Sequence, residues 1–279
     1  EGHDINLVRE KSEKNSRRKK TVLVSLMHIP KTGITTFQKA MIKEPGLNVK
    51  FLYPKIGWEE QCRKDLMRRK GKHRMGTFFR EPMAHVYSQY LECKHDWWGK
   101  LQTQSTEFPR LPENETTGYM PAYAQWLRHF VSQMPYDSME RNYSYYNCYH
   151  PYNMQTRHLF CSSRGKHGEI PWIYPHKLDI EQQHAGHVHN PVQVKDIIQG
   201  FWFLGILEYY PLSVCMFKYQ ILGRIPVECY CDIKLKSESG QKVDVIERHS
   251  VPPHSVYVLN ETTKDMMRNL TTEDDRTYA

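Results

Sequence analysis

Apolar and polar positions along the chain switch repeatedly between two periods. Thr21 to Ile29, "TVLVSLMHI", is apolar and β-branched almost throughout, the pattern of a strand buried on both faces of a parallel sheet. Helical spacing starts at about Thr35 and runs to Met41, after which "NVKFLY" (48–53) and "RMGTFF" (74–79) predict second and third strands. "EPMAHVYSQYLECK" (81–94) has Pro82 at a first helical position and no later breaker, so it predicts a helix. A further helix is expected over Pro121 to Met134, where Trp126, Phe130 and Met134 recur every four residues as core positions. Another is expected over Asn153 to Phe160. "FWFLGILE" (201–208) predicts a strand and "YYPLSVCMFKYQIL" (209–222) a closing helix.

This alternation predicts an α/β fold with a central, mainly parallel sheet flanked by helices. No internal repeat or low-complexity tract interrupts it. The expected organisation is one domain over 21–279, with a loop insertion at 97–118 and a C-terminal extension at 227–279. A chain of 279 residues, 39% hydrophobic and 25% charged, can bury a core of that size. The net charge of +8 favours anionic partners, but much of the excess lies in "REKSEKNSRRKK" (9–20), part of a flexible lead-in expected over 1–20. The remaining body is mildly basic. It carries neither zinc-finger spacing nor an interleaved aromatic and basic motif, so no nucleic-acid partner is expected.

The compartment follows from sequons and cysteines. Asn114, Asn142, Asn260 and Asn269 each open an Asn-x-Ser/Thr triplet, which points to the secretory pathway. The seven cysteines fit disulfides there. Cys148, Cys161, Cys229 and Cys231 stand in polar, loop-like stretches, whereas Cys93 and Cys215 stand in apolar helical contexts where either a bridge or a reduced core thiol is possible. No segment reaches the roughly 18–20 apolar residues of a membrane span, and the chain starts at Glu1 without a methionine. A luminal part of a membrane-anchored protein, whose membrane segment is absent from this chain, is therefore expected.

The chemistry concentrates in "LMHIPKTGITTFQKAM" (26–41), a strand running through a Lys-Thr-Gly turn into a helix. Backbone N–H groups converge where such a helix begins, and its dipole favours an anion there. Lys31 adds charge, Gly33 permits close approach, and Thr35 and Thr36 add hydroxyl donors. A nucleotide triphosphatase loop would place its Lys after the last Gly, and here it precedes Gly33, which argues against a metal-dependent ATPase or a nucleotide kinase. A second segment puts Arg80 at a strand end and Ser88 two turns into the next helix. A guanidinium and a hydroxyl can converge there on a second phosphate, some distance from the first.

On these residues the chain resembles the sulfotransferases that use 3′-phosphoadenosine 5′-phosphosulfate (PAPS). "HIPKTGITTF" (28–37) is similar to their 5′-phosphosulfate loop and "FFREPMAHVYSQY" (78–90) to their 3′-phosphate strand and helix. The glycan branch typified by heparan sulfate 6-O-sulfotransferases is the nearest in pattern. Weaker echoes at "NMQTRHLF" (153–160) and "FLGILEYYPLSVCMF" (203–217) extend the resemblance over 21–222.

The resemblance implies a P-loop-like three-layer fold. It implies that Lys31, Thr32, Gly33, Ile34, Thr35 and Thr36 hold the phosphosulfate and that Arg80 and Ser88 hold the 3′-phosphate. It further implies sulfuryl transfer to a hydroxyl of a glycan or related acceptor in the Golgi lumen, with PAPS as co-substrate and no metal. Lys31 would meet the charge on the leaving oxygen. Ile34 departs from the branch, which has a second Gly there, so the turn must keep φ negative at Ile34.

The general base implied by the family falls between the two motifs, where Glu59 and Glu60 stand first. His95 follows, and His28 and His73 are further possibilities. The alternative to an enzyme is a catalytically silent glycan-binding protein that keeps the fold. Trp97 and Trp98 are expected either to wall a sugar site or to pack beneath the insertion. The C-terminal stretch 248–265 is a candidate lid. "HAGHVHN" (184–190) has no carboxylate or Cys partner nearby and reads as a solvated loop rather than a metal site.

Overall fold

In the computed structural model, residues 21–52, 72–103, 121–132, 134, 148–160, 191–229 and 254–279 are described. Four strands, β1 (Val22–Leu26), β2 (Val49–Phe51), β3 (Arg74–Phe79) and β4 (Phe203–Ile206), form one sheet in the order β2-β1-β3-β4. Every pairing is parallel. Leu26 lies opposite Gly76, and Gly76 opposite Phe203. The chain leaves β1 to one side toward β2, and β3 lies on the other side. A crevice therefore opens at the carboxyl ends of β1 and β3, the place where open α/β sheets take ligands.

Helices cover both faces. On one side α1 (Ile34–Lys43) and α7 (Tyr210–Leu222) bury Ile34, Phe37, Met41 and Phe217 against Val24, Leu26, Phe51, Phe78 and Phe203. Phe37 is the hub of this layer. Its ring stacks on Phe203 at 5.4 Å and meets Phe78 at 4.8 Å and Phe217 at 4.9 Å, which anchors the first turn of α1 over the sheet. On the other side Met27, Ile29 and Phe79 pack with Leu159 of α5 (Met154–Phe160), Ile197 and Ile198 of α6 (Pro191–Gln199), and Tyr278 of α9 (Thr272–Tyr278). The three-layer arrangement expected from the alternation is thus present.

A third cluster is mainly helical. It gathers Val86, Tyr90 and Leu91 of α2 (Pro82–His95), Tyr123, Trp126 and Phe130 of α4 (Pro121–Val131), and Met267 and Leu270 of α8 (Glu261–Leu270). A disulfide between Cys93 and Cys148 ties it together, and a second joins Cys215 to Cys229. Both cysteines whose state the sequence left open are therefore bridged. Cys62, Cys161 and Cys231 lie outside the described residues.

Several sequence expectations change. The insertion at 97–118 opens with a helix, α3 (Trp97–Gln102), capped by the Asp96 carboxylate accepting from Trp98 N. Its remainder, the 1–20 lead-in, Asn114, Asn142 and 184–190 all lie outside the described residues. The helix expected to reach Met134 stops at Val131. Of the candidate lid 248–265, residues 248–253 lie outside the described residues. From Glu261 onward the chain forms α8 and α9, whose Met267, Leu270 and Thr277 are core residues. Asn153 Oδ1 accepts from the amides of Glu273 and Asp274, and the Asp274 carboxylate accepts from those of Gln155 and Thr156. The two helix starts cap one another, an arrangement no local pattern reveals. Among the described residues no helix is long and apolar enough to cross a membrane.

Candidate functional site

The loop after β1 is held from three sides. Thr32 is fully buried and its hydroxyl donates to the Ile29 carbonyl at 2.8 Å, so this hydroxyl serves the turn rather than a ligand. His85 Nε2 donates to the Pro30 carbonyl at 2.6 Å, and Gln89 Nε2 donates to His85 Nδ1 at 3.2 Å. That pattern requires a neutral imidazole. Burial, reinforced by the charges of Arg80 and Lys31 and opposed by the bond to Pro30, pushes His85 down to about 3. The third side is Leu207, which lies directly under Gly33. A Cβ at Gly33 would stand 2.5 Å from the terminal Leu207 Cδ1, which can rotate aside, so it is the φ of +81° that requires glycine.

Lys31 has φ +67°, a left-handed conformation that costs a non-glycine residue on the order of 1 kcal/mol and turns its side chain out of the loop's path. Ile34 is already in α1 and keeps φ negative, as its place in the motif required. Gly33 caps α1, and among the described residues no side-chain cap bonds to the helix's first amides. Those N–H groups are open to an anion. Thr35 Oγ1 is 3.1 Å from His28 Nε2, at the rim of the same opening.

Arg80 follows β3 and arrives from the neighbouring strand. Its Nη1 donates to the Lys31 carbonyl at 3.2 Å and its Nη2 to His254 Nε2 at 3.3 Å, while its buried Nε has no partner among the described residues. Burial lowers its proton affinity and the nearby Glu208 and Glu81 raise it, so a guanidinium remains charged there. The guanidinium touches the Lys31 loop directly. The backbone of Arg80 is clamped as well. Its N–H donates to Gln155 Oε1 at 2.9 Å and its carbonyl accepts from Gln155 Nε2 at 2.8 Å. Ser88 is buried in α2.

The candidate bases fare unevenly. Glu59 and Glu60 lie outside the described residues, and His95 ends α2, a turn past Glu92. The carboxylate that reaches the loop is one the sequence reading passed over, for Glu92 Oε2 pairs with Lys31 Nζ. Glu92, Gln89 and His85 recur every three or four residues on α2 and aim at the loop. This stripe was visible in the sequence, but only the docking of α2 shows that it faces inward. Gln155 and His254 left no comparable trace. Trp97 is 75% exposed, and Trp98 packs on Tyr149 with ring centroids 5.3 Å apart, so the pair forms no common wall. Among the described residues no three His, Cys, Asp or Glu side chains are grouped as a metal site.

The geometry amounts to an uncapped helix start, a lysine and a buried arginine converging at the carboxyl edge of a parallel sheet, which can bind a compact polyanion. No model of a known protein family matches the chain, and neither does any curated protein or solved structure.

Proposed function

We propose that this chain is a PAPS-dependent sulfotransferase that moves the sulfuryl group to a hydroxyl of a glycan or related acceptor in the secretory pathway. The observation that carries the reading is the buried Arg80 guanidinium lying on the Lys31 carbonyl, two residues before the Gly33 cap of α1, with its Nε unpartnered among the described residues. A buried guanidinium nitrogen without an acceptor is costly unless a ligand supplies one. A nucleotide with phosphates on both the 5′ and 3′ positions offers one anion to the helix start and another to Arg80 and Ser88.

In that reading the acceptor oxygen attacks sulfur in line as the bond to the bridging phosphate oxygen breaks. The acceptor proton passes to a base, and Lys31 neutralises charge on the leaving oxygen. His85 and Gln89 hold the Pro30 carbonyl, so that the loop backbone and its amides are in place before the donor arrives. The two disulfides and the exposed Asn260 and Asn269 accord with a luminal setting.

The test is calorimetry with adenosine 3′,5′-bisphosphate, ADP and AMP, followed by transfer of labelled sulfate from PAPS to a glycan panel. Selective binding of the bisphosphate with transfer supports the enzyme. Selective binding without transfer leaves a glycan-binding relative, and equal affinity for all three nucleotides refutes the reading.

A further inference from the structure

We infer that Glu92 is an internal counter-ion that competes with the anionic donor for Lys31, so that the empty site keeps its principal cation latched and the donor must release it. The inference rests on the functional reading above for the identity of the anion.

The ion pair joins Lys31 Nζ to Glu92 Oε2, with only 12% and 11% of the two side chains exposed. Everything around that contact is fixed except the two side chains. Before Lys31, the Pro30 carbonyl is held by His85. At Lys31, the carbonyl is held by Arg80. After it, Thr32 is tied back to Ile29, and Gly33 O accepts the first helical bond from Phe37 N at 3.1 Å.

The Glu92 backbone is equally immobile. Its carbonyl accepts from Asp96 N at 2.9 Å, the adjacent Cys93 is bridged to Cys148, and α3 packs so closely that a Cβ on Gly99 would stand 2.3 Å from Glu92 O. With both backbones held, the remaining freedom is in the two side chains, of which the longer Lys31 chain reaches either way. One position lies on the carboxylate of α2. The other lies at the open amides of α1, to which the left-handed backbone of Lys31 is adjacent.

Such a pair has two consequences. In the empty protein it neutralises a lysine beside a buried arginine, which would otherwise repel one another in an enclosed place. It also sets a threshold, because a ligand that needs Lys31 binds with an affinity reduced by the fraction of molecules in which Lys31 is free. A dianionic phosphate draws the ammonium away from a single carboxylate, whereas a weakly charged anion does not. The latch therefore selects for charge density, in addition to the shape of the cradle.

Two substitutions separate this from other roles of the same residue. Glu92→Gln removes the charge. Glu92→Asp keeps the charge but draws the carboxylate back by one methylene. Each is measured in two ways: calorimetry with adenosine 3′,5′-bisphosphate, and the rate at which acetic anhydride labels Lys31, read by mass spectrometry on protein without nucleotide.

The latch is expected to give roughly tenfold tighter binding and roughly tenfold faster labelling in Glu92→Gln, with smaller changes of the same sign in Glu92→Asp. If Glu92 instead orients Lys31 for the donor, Glu92→Gln binds more weakly, which overturns the inference. If Glu92 merely repels anions at a distance, Glu92→Asp behaves as wild type in both measurements, which overturns it too. Faster labelling in a protein that binds no nucleotide in any form keeps the ion pair but removes the sulfotransferase reading, and with it the competition. Should Glu92→Gln fail to fold, Glu92→Asp carries both readouts.

Discussion

Replacing Gln155 with Leu tests the joint between the C-terminal helices and the site. Gln155 is 1% exposed, and its amide satisfies both backbone groups of Arg80, at 2.9 Å to the N–H and 2.8 Å from the carbonyl. Leucine fits a similar volume but offers neither a donor nor an acceptor. Each buried group left without a partner costs about 1–3 kcal/mol, and the lost pair is only partly offset by the added apolar surface. The expected loss is therefore about 2–5 kcal/mol, read as a lower urea midpoint at constant slope.

A local readout distinguishes this from a general weakening of α5. The Arg80 amide should exchange with deuterium much faster in Gln155→Leu, because its one protein acceptor has gone, while the β3 amides before it keep their ladder bonds. In the functional reading the loosened Arg80 also binds adenosine 3′,5′-bisphosphate more weakly. A loss below about 1 kcal/mol with unchanged Arg80 protection would show that the clamp does not hold the strand end, and the reasoning would fail.

Gly33→Ala is expected to cost about 1–2 kcal/mol, chiefly from a left-handed alanine, because the Leu207 methyl it meets can rotate aside. A loss above about 4 kcal/mol in chemical denaturation would show that Leu207 does not yield. Acidification should destabilise the fold. His85 and His158 are pushed by burial to about 3 and about 4, below the unfolded value near 6.5, so their stabilisation is complete above pH 6.5 and is lost as pH falls toward those values. Asp274, raised by burial to about 6, acts in the opposite sense, its stabilisation being lost as pH rises through 6. The net loss between pH 6.5 and 5 is about 2 kcal/mol, and a flat midpoint over that range would contradict the buried neutral imidazoles. Under the proposed function, Arg80→Ala should weaken nucleotide binding by about 1.5–3 kcal/mol, while Lys31→Ala should lower turnover on the order of a hundredfold even at saturating PAPS. Full turnover with only a raised KM in Lys31→Ala would reduce the loop to a binding cradle.

What the sequence determined by itself was the part of the molecule governed by local periodicity. The apolar run of β1, the Lys-Thr-Gly turn and the Pro82 start of α2 each carry their conformation in adjacent residues. So does the alternation that makes a parallel sheet with helices on both faces. Even Ile34 was constrained locally, since a β-branched residue at that turn can only join the helix.

The tertiary structure decided what meets what. Glu92, Gln89 and His85 form a polar stripe that reads equally well as a solvated face, and only the packing of α2 against the β1 loop turns it inward onto Pro30 and Lys31. Gln155 lies 75 residues from Arg80, and Asp274 lies 119 from Gln155. Their hydrogen bonds depend on chain segments meeting at the sheet's edge, and no spacing within either segment encodes that meeting. The same holds for Cys93 and Cys148, since a cysteine in an apolar helix reads alike whether bridged or free until its partner's loop is brought within 5.8 Å between Cα atoms. Local backbone preference is set by a residue and its near neighbours, whereas a contact is set by the summed burial of every element between its two ends.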